Sequence, residues 1–286
     1  MRRLLVVADD FGLSAGINRG VATAYREGIV TSTSLLANAA RWEGAVSTAL
    51  RLPGLKVGVH LTLVGGVPVL DPARIPSLAP EGGRFRESWR EFLPAWLAGW
   101  IDREEALSEW RAQIRRVLDS GLKPAHLDSH QHLHVLPDLW VIALELAREF
   151  GIPRIRVPRE QGAALPGARP GRRLARRALS LVARCPLLNG APRSCDRFFG
   201  GAEAGHLSIS SLGSILRAIP EGWSELMVHP GHPEPALTHD YPWGYDWESE
   251  VRALCAEETW RELRRCGIEL DRDPAGKPDD GKSSWK

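Results

Sequence analysis

The sequence predicts a parallel α/β fold and, within that class, a (β/α) barrel. Three observations carry the prediction. Short apolar runs alternate with segments of helical period along most of the chain, which is the pattern of repeated strand–helix units. The 286 residues, 43 % hydrophobic and 25 % charged, suffice for a large core and have an ordinary globular composition. Finally, Asp9, Asp10, His60, the histidine cluster at 126–134, Arg156 and His229 all fall at or near the C-terminal ends of predicted strands. A doubly wound sheet also fits the alternation. In a barrel those ends converge on one face, where such enzymes place their chemistry.

In chain order, residues 4–8 (LLVVA) read as a buried strand and 14–26 as a helix with Ser14 as its N-cap. Residues 31–37 form the second strand, a helix follows near 42–52, and 55–63 form the third strand. The Pro- and Gly-rich stretch 68–90 reads as a loop. Residues 102–120 repeat at helical spacing, with Leu107, Trp110, Ile114, Val117 and Leu118 on one stripe and Gly121 as the stop. A fourth strand at 125–128, a helix at 137–150 and a fifth strand at 154–157 come next. After an Arg-rich segment, 165–197, the pattern gives a helix at 208–219, a strand at 225–228, one long helix at 247–265 and a last strand at 267–270. The expected organisation is one domain over 1–270 and a polar, disordered tail over 271–286.

The charge balance narrows the function classes. Lys plus Arg is 37 against 35 Asp plus Glu, a net charge of +2. That lacks the basic excess of a dedicated nucleic-acid binder. The basic side is nevertheless lopsided, with 32 Arg and only five Lys. The four cysteines, at 185, 195, 255 and 266, form no CxxC pair, which argues against a zinc ribbon or disulfide framework and for a reducing compartment. The apolar run at 4–8 is too short for a secretory signal, and no stretch has the length of a membrane span. The expectation is a soluble cytoplasmic protein.

Five segments carry residues suited to chemistry. Asp9 and Asp10 follow the first strand; two adjacent carboxylates there are costly to bury unless paired or metal-bound. Neighbours on a strand face opposite sides, which gives the two different jobs. Taken alone, a strand-end turn with a helix cap explains them as well. His60, in GVHL, reads as a hydrogen-bonded core histidine until it finds partners. His126, His130, His132 and His134 place four of the nine histidines in nine residues, around Asp128. Histidine is the commonest transition-metal ligand, and an included Asp suits the role of orienting an imidazole. Spacing does not choose among the four. His229, in HPGH with His232, leaves a strand into a turn and is placed as a general acid or as a loop histidine. Arg156, in RIRV, either orients a carboxylate by a bidentate pair or points outward. Together these residues make a mixed Asp/His set suited to metal-assisted hydrolysis.

The motifs ADDFG, GVHL, HLDSHQHLH, RVPRE and HPG, in that order between about residues 3 and 270, resemble the YdjC-like carbohydrate deacetylases (the ChbG/HpnK family). The stretch from VGVHLTLVGGVPVL to the histidine block is closer to the hopanoid-biosynthesis HpnK branch. The resemblance implies an irregular (β/α) barrel of the glycoside hydrolase/deacetylase type. It implies removal of the acetyl group from an N-acetylated amino sugar with a divalent metal, most often Mg2+, with Zn2+ as the alternative. By motif match it makes Asp10, His60 and His130 the metal ligands and Asp9 the base. It makes Arg156 the residue that holds Asp9, and His229 the proton donor to the leaving amine.

The resemblance implies as substrate an N-acetylated sugar or a glycolipid, such as hopanoid-linked N-acetylglucosamine. Trp89, Trp96, Trp100, Trp243 and Trp247 are candidates for stacking on a sugar, with core packing as the ordinary alternative. Segment 165–197 has eight Arg and one acid, Asp196. Such a segment suits peripheral contact with an anionic membrane, or is simply a solvated helix. Homo-oligomerisation stays open. Two rival functions remain: a metal-dependent hydrolase of another amide or ester, and a silent sugar-binding barrel. The amidohydrolase barrels place HxH after the first strand, where this chain has Asp-Asp.

Overall fold

The computed structural model describes residues 1–80, 82–159 and 193–272. Seven parallel strands form one curled sheet: β1 (Arg2–Phe11), β2 (Ser32–Leu35), β3 (Lys56–Leu61), β4 (Leu127–Ser129), β5 (Arg197–Phe199), β6 (Gly222–Val228) and β7 (Ile268–Leu270). Their order is β4-β3-β2-β1-β6-β5, with β7 paired to β1. β1 is long enough to have two partners on one edge. β7 pairs with Arg2–Leu4 and β2 with the segment from Val7 to Phe11, while β6 runs along the other edge.

The two ends of the sheet curl towards each other through the expected fifth strand. Residues 154–156 bond to β4 through Leu127 N–H to Arg154 O and Arg156 N–H to Leu127 O, both 2.9 Å. Ile155 N–H in turn donates to the Arg193 carbonyl at 3.0 Å, just before β5. The segment is therefore a linking stave with one isolated bridge, Leu127↔Ile155, rather than a regular strand. The architecture is an irregular, open (β/α) barrel.

Helices cover the outside: α1 (Ala15–Arg26), α2 (Trp42–Leu50), α3 (Trp89–Leu97), α4 (Arg103–Asp119), α5 (Pro137–Glu149), α6 (Ile209–Ala218), α7 (Pro235–Asp240), α8 (Trp247–Cys255) and α9 (Glu257–Arg265). Ser14 caps α1 by accepting from Ile17 N–H, as its position at the start of the periodic run predicts. In α4 the stripe Leu107, Trp110, Ile114 and Val117 is buried, whereas Leu118 lies exposed at its edge. The expected single helix over 247–265 is two, broken at Ala256 with ψ 140°. Glu257 and Glu258 then occupy the first turn of the new helix, where acids favour an N-terminus. Helix α3 begins on the last two residues of the 68–90 stretch expected to be loop and continues to Leu97, through residues for which no element was expected. The membrane-contact segment expected over 165–192 and the tail expected over 273–286 lie outside the described residues.

Alternation along β1 divides the core. Leu4, Val6 and Ala8 pack with the helices, while Leu5 and Val7 pack with Cys195 inside the curl. Residues on that inner face rise from this apolar floor to charged groups. Glu225 is the register partner of Leu5, and Asp9 continues the inner face. No described helix is long and apolar enough to cross a membrane.

Candidate active site

Asp9 and Asp10 do not part to opposite faces as strand alternation predicts. Asp10 has a left-handed backbone, φ 62°, at an irregularity in the β1–β2 register between Ala8 and Phe11. A non-glycine residue there is strained, and such strain persists only where the surroundings impose it. The twist brings both carboxylates to His60. Ligand atoms of Asp10, His60 and His130 lie within 4.8 Å of one another, as do those of Asp9, His60 and Asp128.

The β3–β4 register explains His60. It is the cross-strand partner of Asp128, and its Nδ1 bonds Asp128 Oδ1 at 2.8 Å. Its Nε2 is thereby turned to Asp10 Oδ1, 3.4 Å away. His130 follows β4 directly and places Nδ1 2.9 Å from the same Asp10 oxygen. Gln131 and His132 after it both have left-handed backbones, φ 55° and 57°. Gln131 Oε1 accepts from Trp89 N–H at 2.8 Å and so ties this turn to α3.

Asp128 is the hub. Its second oxygen accepts from Ser34 Oγ at 2.7 Å and pairs with Arg156 Nη1 at 2.9 Å. Arg156 is fully buried and uses all three guanidinium nitrogens. Nη1 and Nη2 grip Asp9 at 2.6 and 2.8 Å, and Nε donates to Glu225. Arg154 donates to the other Glu225 oxygen. Burial opposes ionisation of Asp128 and Asp10. Arg156 and His60 nevertheless hold Asp128 well below the usual carboxylate range, and His130 and His60 do the same for Asp10.

The remaining histidines separate by their partners. His134 Nε2 donates to the Arg156 carbonyl and its Nδ1 bonds Ser129 Oγ, so it supports the linking stave. His126 reaches across β3 to Ser34 Oγ at 2.9 Å. Only glycine at 58 allows this, since a Cβ there would lie 2.3 Å from the imidazole. His132 packs edge-on against Phe198. His232 pairs with Thr23 on α1. His229, one residue beyond β6, is buried with its Nδ1 lacking a hydrogen-bond partner. Its backbone N–H donates to the buried carboxylate of Glu250, and its ring meets Tyr245 edge-on at 5.4 Å.

The donor set fits a divalent cation. Inside the curl, four buried carboxylates (Asp9, Asp10, Asp128 and Glu225) face two buried guanidiniums, those of Arg154 and Arg156. Burial lowers the affinity of His60 for a proton, but Asp128, Asp9 and Asp10 overcome it and raise its pKa to about 10. The field at this point therefore draws positive charge. Of the two clusters, Asp9–His60–Asp128 already has Arg156 against both its carboxylates, so Asp10–His60–His130 is the better cation cage. Asp128 behind His60 is the arrangement that fixes a ligating imidazole.

A sequence model of the family described as YdjC-like protein matches residues 3–265. The chain belongs to the YdjC-like family. Curated relatives include a carbohydrate deacetylase of Geobacillus stearothermophilus, 38 % identical over 270 residues that cover 94 % of this chain and 96 % of the relative. A carbohydrate deacetylase of Brevibacillus brevis is 43 % identical over 156 residues; that match covers 54 % of this chain and 59 % of the relative's own length. Among solved structures, an Enterococcus faecalis protein proposed to cleave cellobiose phosphate superposes with a TM-score of 0.73 at 26 % identity, covering 94 % and 97 % of the two chains. The irregular barrel of this YdjC-like chain is thus shared with a solved relative.

Ser34, Arg154, Glu225 and Glu250 of the YdjC-like site are not among the residues that the sequence marks as candidates. Glu225 had a usable signal, a lone carboxylate in the apolar run ELMV. It is the counterpart of the Arg in RIRV. Glu250 had none, because an acid in the first turn of a helix is ordinary.

Proposed function

We propose that this chain is a metal-dependent hydrolase that removes the acetyl group from an N-acetylated amino sugar. The observation that carries the reading is the convergence on His60 of two carboxylates with different partners. Asp10 faces two imidazoles, and Asp9 is locked by a guanidinium. The carbohydrate deacetylases among the relatives support the substrate class.

In this reading Asp10, His60 and His130 hold the cation. When bound, it polarises the acetamide carbonyl and lowers the pKa of water. Asp9 accepts a proton from the attacking water. Arg156 keeps the Asp9 carboxylate from rotating and leaves one lone pair on each oxygen free of the guanidinium. The water oxygen bonds to the carbonyl carbon and the C–N bond breaks. His229 gives a proton to the departing nitrogen, and acetate and a free amine result. The His229 turn is set by Glu250 through the backbone, so the ring stays at the end of β6.

The test is acetate release from N-acetylglucosamine oligomers, from chitobiose and from an N-acetylglucosaminyl lipid, each with and without chelator. Release from the lipid alone selects the glycolipid form of the reading, hopanoid-linked sugars included. Mg2+ is the ion the resemblance implies, while two imidazoles and a carboxylate are also zinc donors. Adding each ion back to chelated protein distinguishes them. Asp10→Ala, His60→Ala and His130→Ala should lose metal and turnover together. Full metal content and turnover in Asp10→Ala overturns the assignment.

A further inference from the structure

The segment Tyr241-Pro242-Trp243-Gly244-Tyr245-Asp246-Trp247 places an aromatic ring at every second residue. The four rings form a continuous row, with centroids 5.2 Å apart for Tyr241–Trp243, 5.5 Å for Trp243–Tyr245 and 5.7 Å for Tyr245–Trp247. The row touches the candidate site at two separate points. Trp243 lies 5.6 Å from the His130 ring, tilted by 35°. Tyr245 lies 5.4 Å from the His229 ring. It therefore spans the gap between the cation cage and the residue read as proton donor.

The row is anchored from one end. Trp247 is buried in the core, and its carbonyl accepts from Gly231 N–H. Tyr245 lies directly on the backbone at Gly205, where a Cβ would come within 2.1 Å of the phenol ring and where φ is +75°. Asp246 N–H donates to the Gly205 carbonyl at 2.7 Å. Trp243 is the next step outward, half-buried beside His130. A ring held in this way loses little conformational entropy when a ligand settles on it. The candidate tryptophans between the third and fourth strands are placed differently: Trp89 and Trp100 are exposed, and Trp96 stacks on Phe92.

We propose that Trp243, supported by Tyr241 and Tyr245, is the platform on which the pyranose ring of the substrate stacks. This deepens the amino-sugar deacetylase reading and rests on it. A pyranose presents an apolar face of C–H groups with hydroxyls around its rim, and an indole offers a flat apolar surface of matching extent with one polar edge. The acetyl group is then recognised at the Asp10–His60–His130 cage and the sugar ring at Trp243. The interaction belongs to ground state and transition state alike, so its loss appears in KM.

The experiment compares Trp243→Ala, Trp243→Leu and Trp243→Phe in the full-length metal-loaded protein. It measures kcat and KM for acetate release from chitobiose, and Kd for the product glucosamine disaccharide by calorimetry. Trp100→Ala serves as an outlying control. Trp243→Ala and Trp243→Leu should raise KM and product Kd about tenfold, the scale of one lost aromatic contact, with kcat and bound metal unchanged. Trp243→Phe should retain most of the affinity. Leu preserves apolar volume without a ring face, so the Leu–Phe difference decides the matter even if the Ala variant does not fold. Sugar turnover by the wild type with Leu and Phe variants indistinguishable in KM overturns the platform alone. Neither turnover nor binding of any sugar by the wild type overturns the deacetylase reading and the platform with it.

Discussion

Asp128 holds His60 by its Nδ1 at 2.8 Å, and that bond decides which imidazole nitrogen faces Asp10. The pair arises from strand register, because the two residues sit opposite each other on β3 and β4. Asp128→Asn keeps the size of the side chain and removes its charge. Loss of a carboxylate behind a ligating histidine typically costs about 10–100-fold in metal affinity. Metal titration of chelated protein should show a loss of that order with the fold intact. Wild-type affinity in the variant would mean that Asp128 does not orient the ligand.

Arg156 is the only guanidinium that reaches Asp9, Asp128 and Glu225 together among the described residues. Arg156→Lys preserves charge but replaces a planar three-nitrogen fork with one ammonium, which cannot hold Asp9 by both oxygens. Turnover should fall at least tenfold while the protein still folds. Arg156→Ala leaves three buried carboxylates short of their partner and should destabilise by ~3–5 kcal/mol, the cost of breaking a buried ion pair. Comparing turnover with the urea midpoint for both variants checks this. Unchanged kcat in Arg156→Lys removes the positioning role.

Much of this arrangement was legible in the sequence, and the part that was not has identifiable causes. Apolar runs locate β1, β3 and β6, because a parallel strand buried on both faces is a run of apolar residues, whereas β2, with the sequence STSL, is carried by buried hydroxyl residues. The short β5, Arg197–Phe199, has no such run and exists through its pairing with β6. Strand alternation failed at Asp10, where a left-handed residue turned a carboxylate to the side of its neighbour. Tertiary contact imposes that conformation, and nothing in the ADDFG motif's composition or period announces it. The histidine cluster pointed to the region. Spacing alone does not separate His130 from His134; the motif match selects His130, and the fold sets it beside Asp10 and sets His134 beside Ser129 and the Arg156 carbonyl.

Gly58 shows how backbone space supports the site. The His126 ring passes over its Cα to reach Ser34, which donates to Asp128. Gly58→Ala forces a carbon to within 2.3 Å of that ring. The strand has no room to yield without moving β4, and overpacking of this kind costs ~1–3 kcal/mol. A lower urea midpoint together with weaker metal binding is expected, since displaced His126 and Ser34 no longer align Asp128. A variant as stable as the wild type would show that the ring finds another place.

The last prediction concerns acid stability and rests on His134. Burial pushes its pKa down to about 4, against the opposing pull of the Arg156 carbonyl and Asp128. In the unfolded chain the same imidazole titrates near ~6.5. Above that value both states are neutral and the folded state keeps its full stability. Between about 6.5 and 4 the unfolded chain takes up a proton that the folded chain refuses, so stability falls as pH falls. One such group gives a slope of about 1.4 kcal/mol per pH unit inside the window. His126, also depressed by burial and by Arg154, adds to it. The depressed carboxylates Asp128 and Glu225 act below this range, beneath their own unfolded values. Urea midpoints at pH 7, 6 and 5 should therefore decline, and His134→Gln should shallow the decline by about one proton's worth. A His134→Gln profile parallel to that of the wild type from pH 6.5 to 5 would mean that His134 accepts its proton inside the fold, which the Arg156 carbonyl and Ser129 around its ring give it little means to do.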